Sequence, residues 1–99
     1  MKKSLGGVVE DVFKDKDIMD IKVKKNIAIS ESGFIFDPTS GDSYLVNEIG
    51  LEIIKFLKEE THLDEIKNSM IEKYDIDSQS FEKYYLDFIQ MLKGFNLME

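Results

Sequence analysis

Few residues in this 99-residue chain could do chemistry, and their surroundings argue against it. His62 is the single histidine. A catalytic imidazole needs an acid to orient it and a nucleophile or substrate to serve. His62 instead stands where a helix is expected to begin and reads as a solvated residue of that first turn. Asp15, Asp17 and Asp20 are spaced D-x-D-x-x-D. A calcium loop would continue the alternation of oxygen ligands, place a glycine at its centre and close on a glutamate, and this segment does none of these. Gly6-Gly7 lacks the G-x-x-x-x-G-K frame of a phosphate loop. Glu59-Glu60 and Asp64-Glu65 fall at expected helix ends, where acids favour the dipole or are simply solvated. There is no cysteine, hence no thiolate nucleophile, disulfide or Cys-ligated metal. No catalytic residue, metal site or cofactor is expected.

Composition bounds the remaining classes. The chain is one domain's worth of residues, 42% hydrophobic with a single core's supply of aromatics. Its net charge is −7 and its pI about 4.7. A duplex-binding domain carries a basic face, so a nucleic-acid partner would be repelled at long range unless the 13 lysines clustered. The start, MKKSLGGVVEDVFKDKD, is a poor signal peptide because Glu10 and Asp11 cut its apolar run. No apolar run approaches the roughly 20 residues that span a bilayer. Together with the absence of cysteine, this suits a cytoplasmic protein with no membrane partner.

These residues need elements to position them. Residues 1–19 lack clear periodicity and read as a weakly ordered N-terminal arm, with 20–99 as the folded domain. A short helix through Val8, Val9, Val12 and Phe13 would be marginal in isolation. From Asp20 the apolar period is two: Ile21 and Val23 alternate with lysines, and Ile27 and Ile29 with Ala28 and Ser30. Phe34 to Phe36 forms a second strand after a turn at Glu31-Ser32-Gly33. Pro38 and Gly41 mark a loop, and Ser43 to Val46 forms a third strand. A three-stranded antiparallel meander is predicted, followed by three helices. The first is capped by Asn47, with Ile49, Ile53, Ile54, Phe56 and Leu57 as its stripe. The second starts at Thr61 with Asp64 as a capping-box partner, and carries Leu63, Ile66, Met70 and Tyr74 on one face. The third runs from Asp77 or Ser78 to about Lys93, with Gly94 as a left-handed cap.

Two features stand out as a binding surface. The stretch Gly33–Leu57 runs from strand through turn and strand directly into a helix, leaving Asp42–Val46 as a strand with one side free and a helical layer behind it. Edge strands are usually blunted by lysine, proline or a bulge, and this one holds none of the 13 lysines. The third helix is too apolar for one packing face. Phe81, Tyr85, Phe88 and Leu92 form a stripe, Tyr84 and Met91 widen it on one side, and Leu86 and Ile89 on the other. The arc covers about 220° at 100° per residue. Such a helix either packs on two layers or leaves a flank for a partner. Phe81, Phe88 and Leu92 are expected to fill the core, and Tyr84 or Leu86 to be exposed.

The order of these segments resembles the PqqD-like family. The resemblance rests on Phe34-Ile35-Phe36-Asp37, then Gly41-Asp42-Ser43-Tyr44-Leu45-Val46-Asn47, then Gly50, Ile53, Ile54 and Leu57. It continues through Thr61-His62-Leu63-Asp64-Glu65-Ile66 and Tyr74-Asp75-Ile76-Asp77, and ends with Phe88-Ile89, Leu92 and Gly94-Phe95-Asn96-Leu97. It covers Val23 to Leu97. Ile54 stands where many members have Trp, Tyr84 where an Asp is common, and the close is Gly-Phe-Asn-Leu instead of Gly-Leu.

The resemblance implies an α+β, winged helix-turn-helix-like fold. It implies a non-catalytic recognition element or chaperone for ribosomally made, post-translationally modified peptides. Such a protein binds a precursor's leader peptide as an added strand and presents it to a modifying enzyme, often a radical SAM protein. The peptide-binding residues so implied are Asp42, Ser43, Tyr44, Leu45 and Val46 on the edge, with Tyr84, Tyr85, Leu86 or Phe88 on the third helix. Two alternatives share the element order: a winged-helix DNA-binding regulator, and a homodimerising assembly module that uses the same edge.

Overall fold

The structure, a computed structural model, describes residues 21–99. The arm at 1–19 lies outside the described residues, as do Gly6-Gly7 and the acidic triplet Asp15, Asp17 and Asp20. The described chain is α+β. Three strands, β1 (Ala28–Ile29), β2 (Phe34–Asp37) and β3 (Asp42–Leu45), precede three helices, α1 (Glu48–Lys58), α2 (Leu63–Tyr74) and α3 (Ser78–Gly94). The sheet is antiparallel in the order β1-β2-β3, with Ile29 opposite Ile35 and Ile35 opposite Tyr44. This is the meander and helix order that the sequence predicts.

The first strand is shorter than the alternation from Ile21 to Ile29 suggests. Ile21 and Val23 are buried as the pattern requires, but the backbone around Val23 pairs with the C-terminal tail and not with β2. Val23 bridges Met98, the Lys24 amide donates to the Leu97 carbonyl at 2.9 Å, and the Glu99 amide donates to the Lys22 carbonyl at 2.9 Å. A period of two specifies which side chains are buried; it does not say which strand the backbone will meet.

The turn into β2 requires Gly33. Its φ is +99°, and a Cβ there would lie 2.7 Å from the Val46 carbonyl oxygen. That close approach joins the start of β2 to the end of β3, where the Val46 amide donates to the Gly33 carbonyl at 2.9 Å. Asn47 then starts α1 as expected, its Oδ1 accepting from the Gly50 amide at 2.8 Å.

Two helix ends differ from the expected ones. The N-cap of α2 is His62, whose side chain makes no capping bond, so the Thr61–Asp64 capping box does not form. Thr61 instead donates its amide to the Phe56 carbonyl at 3.0 Å, closing the preceding helix. At the end of α3, Gly94 is helical, and the left-handed residue is Asn96 at φ +58°. There the Leu97 amide reaches back to the Leu92 carbonyl at 3.0 Å, which satisfies an end carbonyl and turns Leu97 into the core.

The core sits between the inner face of the sheet and all three helices. Ile35 from β2, Ile53 and Ile54 from α1, Ile66 and Met70 from α2, and Phe81, Ile89 and Leu92 from α3 are fully buried. The broad apolar arc of α3 has its reason here, because the helix packs on two layers. One flank meets α2, where Lys67 Nζ donates to Glu82 Oε2 at 2.6 Å. The other meets β3 and α1 through Tyr84, Phe88 and the following Phe95.

Candidate functional site

In a pleated strand, side chains alternate between faces and backbone groups alternate between neighbours. Phe34 lies opposite Leu45, Ile35 opposite Tyr44, Phe36 opposite Ser43 and Asp37 opposite Asp42. Because the Val46 amide bonds to Gly33, the residues in phase with it, Tyr44 and Asp42, direct their backbone groups to β2. Ser43 and Leu45 therefore turn their N–H and C=O groups outward, and β3 is one of the two edges of the sheet among the described residues. Tyr44 faces inward towards α3 and is half-buried, whereas Leu45 faces outward at 67% exposed.

Behind this edge the start of α1 and the length of α3 form a wall. The Tyr44 ring stacks on Phe95, with centroids 4.0 Å apart and planes 14° from parallel. The Tyr84 hydroxyl donates to Asn47 Oδ1 at 2.7 Å, and the Tyr84 and Phe88 rings lie 6.3 Å apart. α1 can come this near because Gly50 has no side chain, since a Cβ there would lie 2.9 Å from Phe88 Cε1. Tyr84, Asp87, Phe88 and Met91 line an open recess of about 210 Å³ along α3. Asp87 is its one charged lining residue. The Tyr44 hydroxyl is raised above its usual range, first by desolvation and then by Asp42 and Asp37, which oppose a phenolate.

The structure sorts the α3 candidates. Tyr84 and Phe88 share the recess. Tyr85 is 1% exposed, packed on Phe81 with centroids 5.7 Å apart, and burial pushes its hydroxyl well above the usual range. It supports the wall from inside. Leu86 lies about 160° round the helix from Tyr84, on the flank towards α2, so the two do not meet in one groove. Asp87 and Met91 follow Tyr84 at i+3 and i+7, a spacing that could have singled them out. Phe95 lies past the helix end and had no such signal.

A larger cavity of about 370 Å³ lies on the other side of Asn47, lined by Glu31, Gly33, Val46, Glu48, Glu52 and Lys55 among others. Two of its acids are engaged, Glu31 by Lys55 at 3.0 Å and Glu52 by Lys73 at 2.6 Å. Among the described residues no group of three or more His, Cys, Asp or Glu is placed to hold a metal ion, and no helix is long and apolar enough to cross a membrane. His62 is exposed.

The sequence model of the family described as Coenzyme PQQ synthesis protein D (PqqD) matches residues 33–97. The chain belongs to the PqqD family. No curated protein and no solved structure matches it. The match opens at Gly33, where β2 and β3 are joined, and closes at Leu97, which is fully buried. In this PqqD member the departure Gly94-Phe95-Asn96-Leu97 has a structural account. Asn96 takes the left-handed turn, so that Phe95 can stack on Tyr44 while Leu97 enters the core. Tyr84 supplies a hydroxyl donor to the helix-capping oxygen of Asn47.

Proposed function

We propose that this PqqD-family chain binds the leader of a ribosomally made precursor peptide and presents it to a modifying enzyme, a radical SAM protein or other maturase, without catalysing a reaction itself. One observation carries the reading: β3 offers outward-facing backbone groups at Ser43 and Leu45 and leads into Asn47, which accepts a hydrogen bond from Tyr84 of the α3 recess. A leader added there as a fourth strand gains backbone hydrogen bonds from the edge. It gains selectivity from the side chains it lays against Tyr44, Tyr84, Phe88 and Met91. The negative charge of the chain, with Asp42 and Asp87 beside the edge, favours a leader carrying Lys or Arg.

Charge placement disfavours the regulator alternative. The two lysines of α2, Lys67 and Lys73, are held by Glu82 and Glu52, each at 2.6 Å, and so are not presented to phosphates. The test is an amide-resonance titration of the full chain with a short peptide encoded beside its gene. Shifts are expected at 42–46 and along the Tyr84–Met91 flank. Shifts confined to α2, or to the far side of α1, would remove strand addition as the mode of binding. A stable dimer at micromolar concentration in which the same amides are already protected would assign the edge to a second copy.

A further inference from the structure

The outer face of the sheet is unlike a solvent-facing sheet surface. Antiparallel sheets with one covered face usually carry polar residues on the other. Here the outward positions are Ala28 on β1, Phe34 and Phe36 on β2, and Ser43 and Leu45 on β3. None is charged, in a chain that is 33% charged. Phe34, Phe36 and Leu45 are 47%, 41% and 67% exposed. Leu45 and Phe34 face one another as a pair without mutual backbone bonds, the closer of the two antiparallel spacings. A contiguous apolar patch of this kind is characteristically an interaction site.

Its position says what covers it. The patch ends at Leu45, and Leu45 is also one of the two residues whose backbone groups point out from the edge. Whatever pairs with that edge extends both faces of the sheet at once. Its residue opposite Tyr44 turns inward to the α3 recess, and the residue opposite Leu45 lies on the outer face against the Leu45 side chain.

We infer that this face is a second apolar subsite for the peptide strand, so that the edge takes a segment with consecutive apolar residues, one set facing α3 and the other facing Leu45 and Phe34. This rests on the strand-addition reading and sharpens it, because a groove alone would ask for apolar residues only at every second position. Leu45 sets the second requirement. Its conversion to a polar residue of equal strand preference removes that requirement and leaves the groove intact.

The probe is a displayed library of random peptides about ten residues long, enough to hold the five or six of an ordinary strand. It is selected separately on the full chain and on Leu45→Thr, a position 67% exposed, with the amide spectrum of the variant checking that it folds as the parent does. On the full chain, enriched peptides are expected to share a run of three or more consecutive aliphatic or aromatic residues. Their binding should slow exchange of the Ser43 and Leu45 amides, which are expected to exchange freely in the unliganded chain. On Leu45→Thr the selected pattern should relax to apolar–polar alternation, and peptides from the first selection should bind roughly tenfold more weakly. Alternation on both proteins, with the two amides still protected on binding, would overturn the outer subsite and leave strand addition standing. Enriched peptides that never protect Ser43 and Leu45, or no enrichment at all, would sink both readings. Slow exchange of these amides in the free chain would show the edge already occupied by the chain's own residues or by a second copy, and would overturn the inference as well.

Discussion

The hydroxyl of Tyr84 donates to Asn47 Oδ1 at 2.7 Å, and that same oxygen accepts from the Gly50 amide at 2.8 Å. One carbonyl oxygen thus caps α1 and fixes α3 beside the point where β3 ends. Asn47 is the first residue after the edge, so the bond sets the distance between the edge and the recess behind it. A peptide strand needs that spacing held constant, since about 1 Å of play is enough to lose a well-packed contact.

Breaking this junction should have unequal effects on its two sides. Asn47→Ala removes the cap and the acceptor of Tyr84, and is expected to cost about 1–2 kcal/mol of stability. Tyr84→Phe removes one hydrogen bond from a half-exposed hydroxyl, which should cost about 0.5 kcal/mol. The double variant should cost less than the sum, because Tyr84 has already lost its acceptor once Asn47 is gone. Urea unfolding of the four proteins checks this; strict additivity would mean the two residues are not coupled.

Gly50→Ala sets helix propensity against packing. Alanine inside a helix gains about 0.5–1 kcal/mol over glycine. Its Cβ would meet Phe88 Cε1 at 2.9 Å, in a ring only 5% exposed, and overpacking of this kind costs about 1–3 kcal/mol. The net expectation is a loss of about 1 kcal/mol, with the Phe88 ring displaced into the recess and peptide binding weakened. Thermal unfolding and the Phe88 ring resonances report the two effects. A stabilised variant with an unmoved ring would show that α1 and α3 are less tightly apposed.

The order of elements and nearly all of the core were legible from periodicity, because burial follows directly from which positions are apolar. Ile53, Ile66 and Phe81 needed no structure to be placed inside, whereas in β2 only the structure shows that Ile35 is buried and that Phe34 and Phe36 face outward. Backbone partnership was not legible. Lys22 to Lys24 pair with the tail, a contact 75 residues away in sequence for the Val23–Met98 bridge, and no local pattern announces it. Helix ends failed for a related reason. Gly94 is the residue a left-handed cap prefers, but Asn96 takes that conformation because only a later turn lets Phe95 reach Tyr44 and Leu97 reach the core. In the candidate site, the edge was legible from Asp42–Val46 itself, whereas the choice between the Tyr84 and Leu86 flanks depended on which side of α3 meets α2.

The stack of Tyr44 on Phe95 joins the edge strand to the segment after α3, far apart in sequence. Phe95→Ala is expected to cost about 1–2 kcal/mol, from the lost ring contact and part of the buried area. Phe95→Leu keeps most of that area and should cost about 0.5–1 kcal/mol. Amide exchange at Tyr44 should quicken in both, more in the alanine variant, because the inward face of β3 loses its support. Unchanged exchange would show that pairing to β2 alone holds the edge.

Acid should loosen the start of α3 through Asp77. Its carboxylate accepts from the Ser80 amide at 2.7 Å, and this hydrogen bond holds its pKa below the ordinary 3.8. A group whose pKa is lower folded than unfolded binds protons more readily in the unfolded chain. Its contribution to stability is therefore full above the unfolded value, declines as pH falls through the lowered folded value, and is absent below it. The comparison protein is Asp77→Asn, which can still cap the helix but does not titrate there. The stability difference between the two should be constant above about pH 5 and shrink steadily below about pH 4. Denaturant unfolding at a series of pH values measures it. The Ser80 amide resonance should move over the same range in the parent and stay still in the variant. A difference that persists unchanged to about pH 2 would mean the capping bond does not depend on the carboxylate's charge.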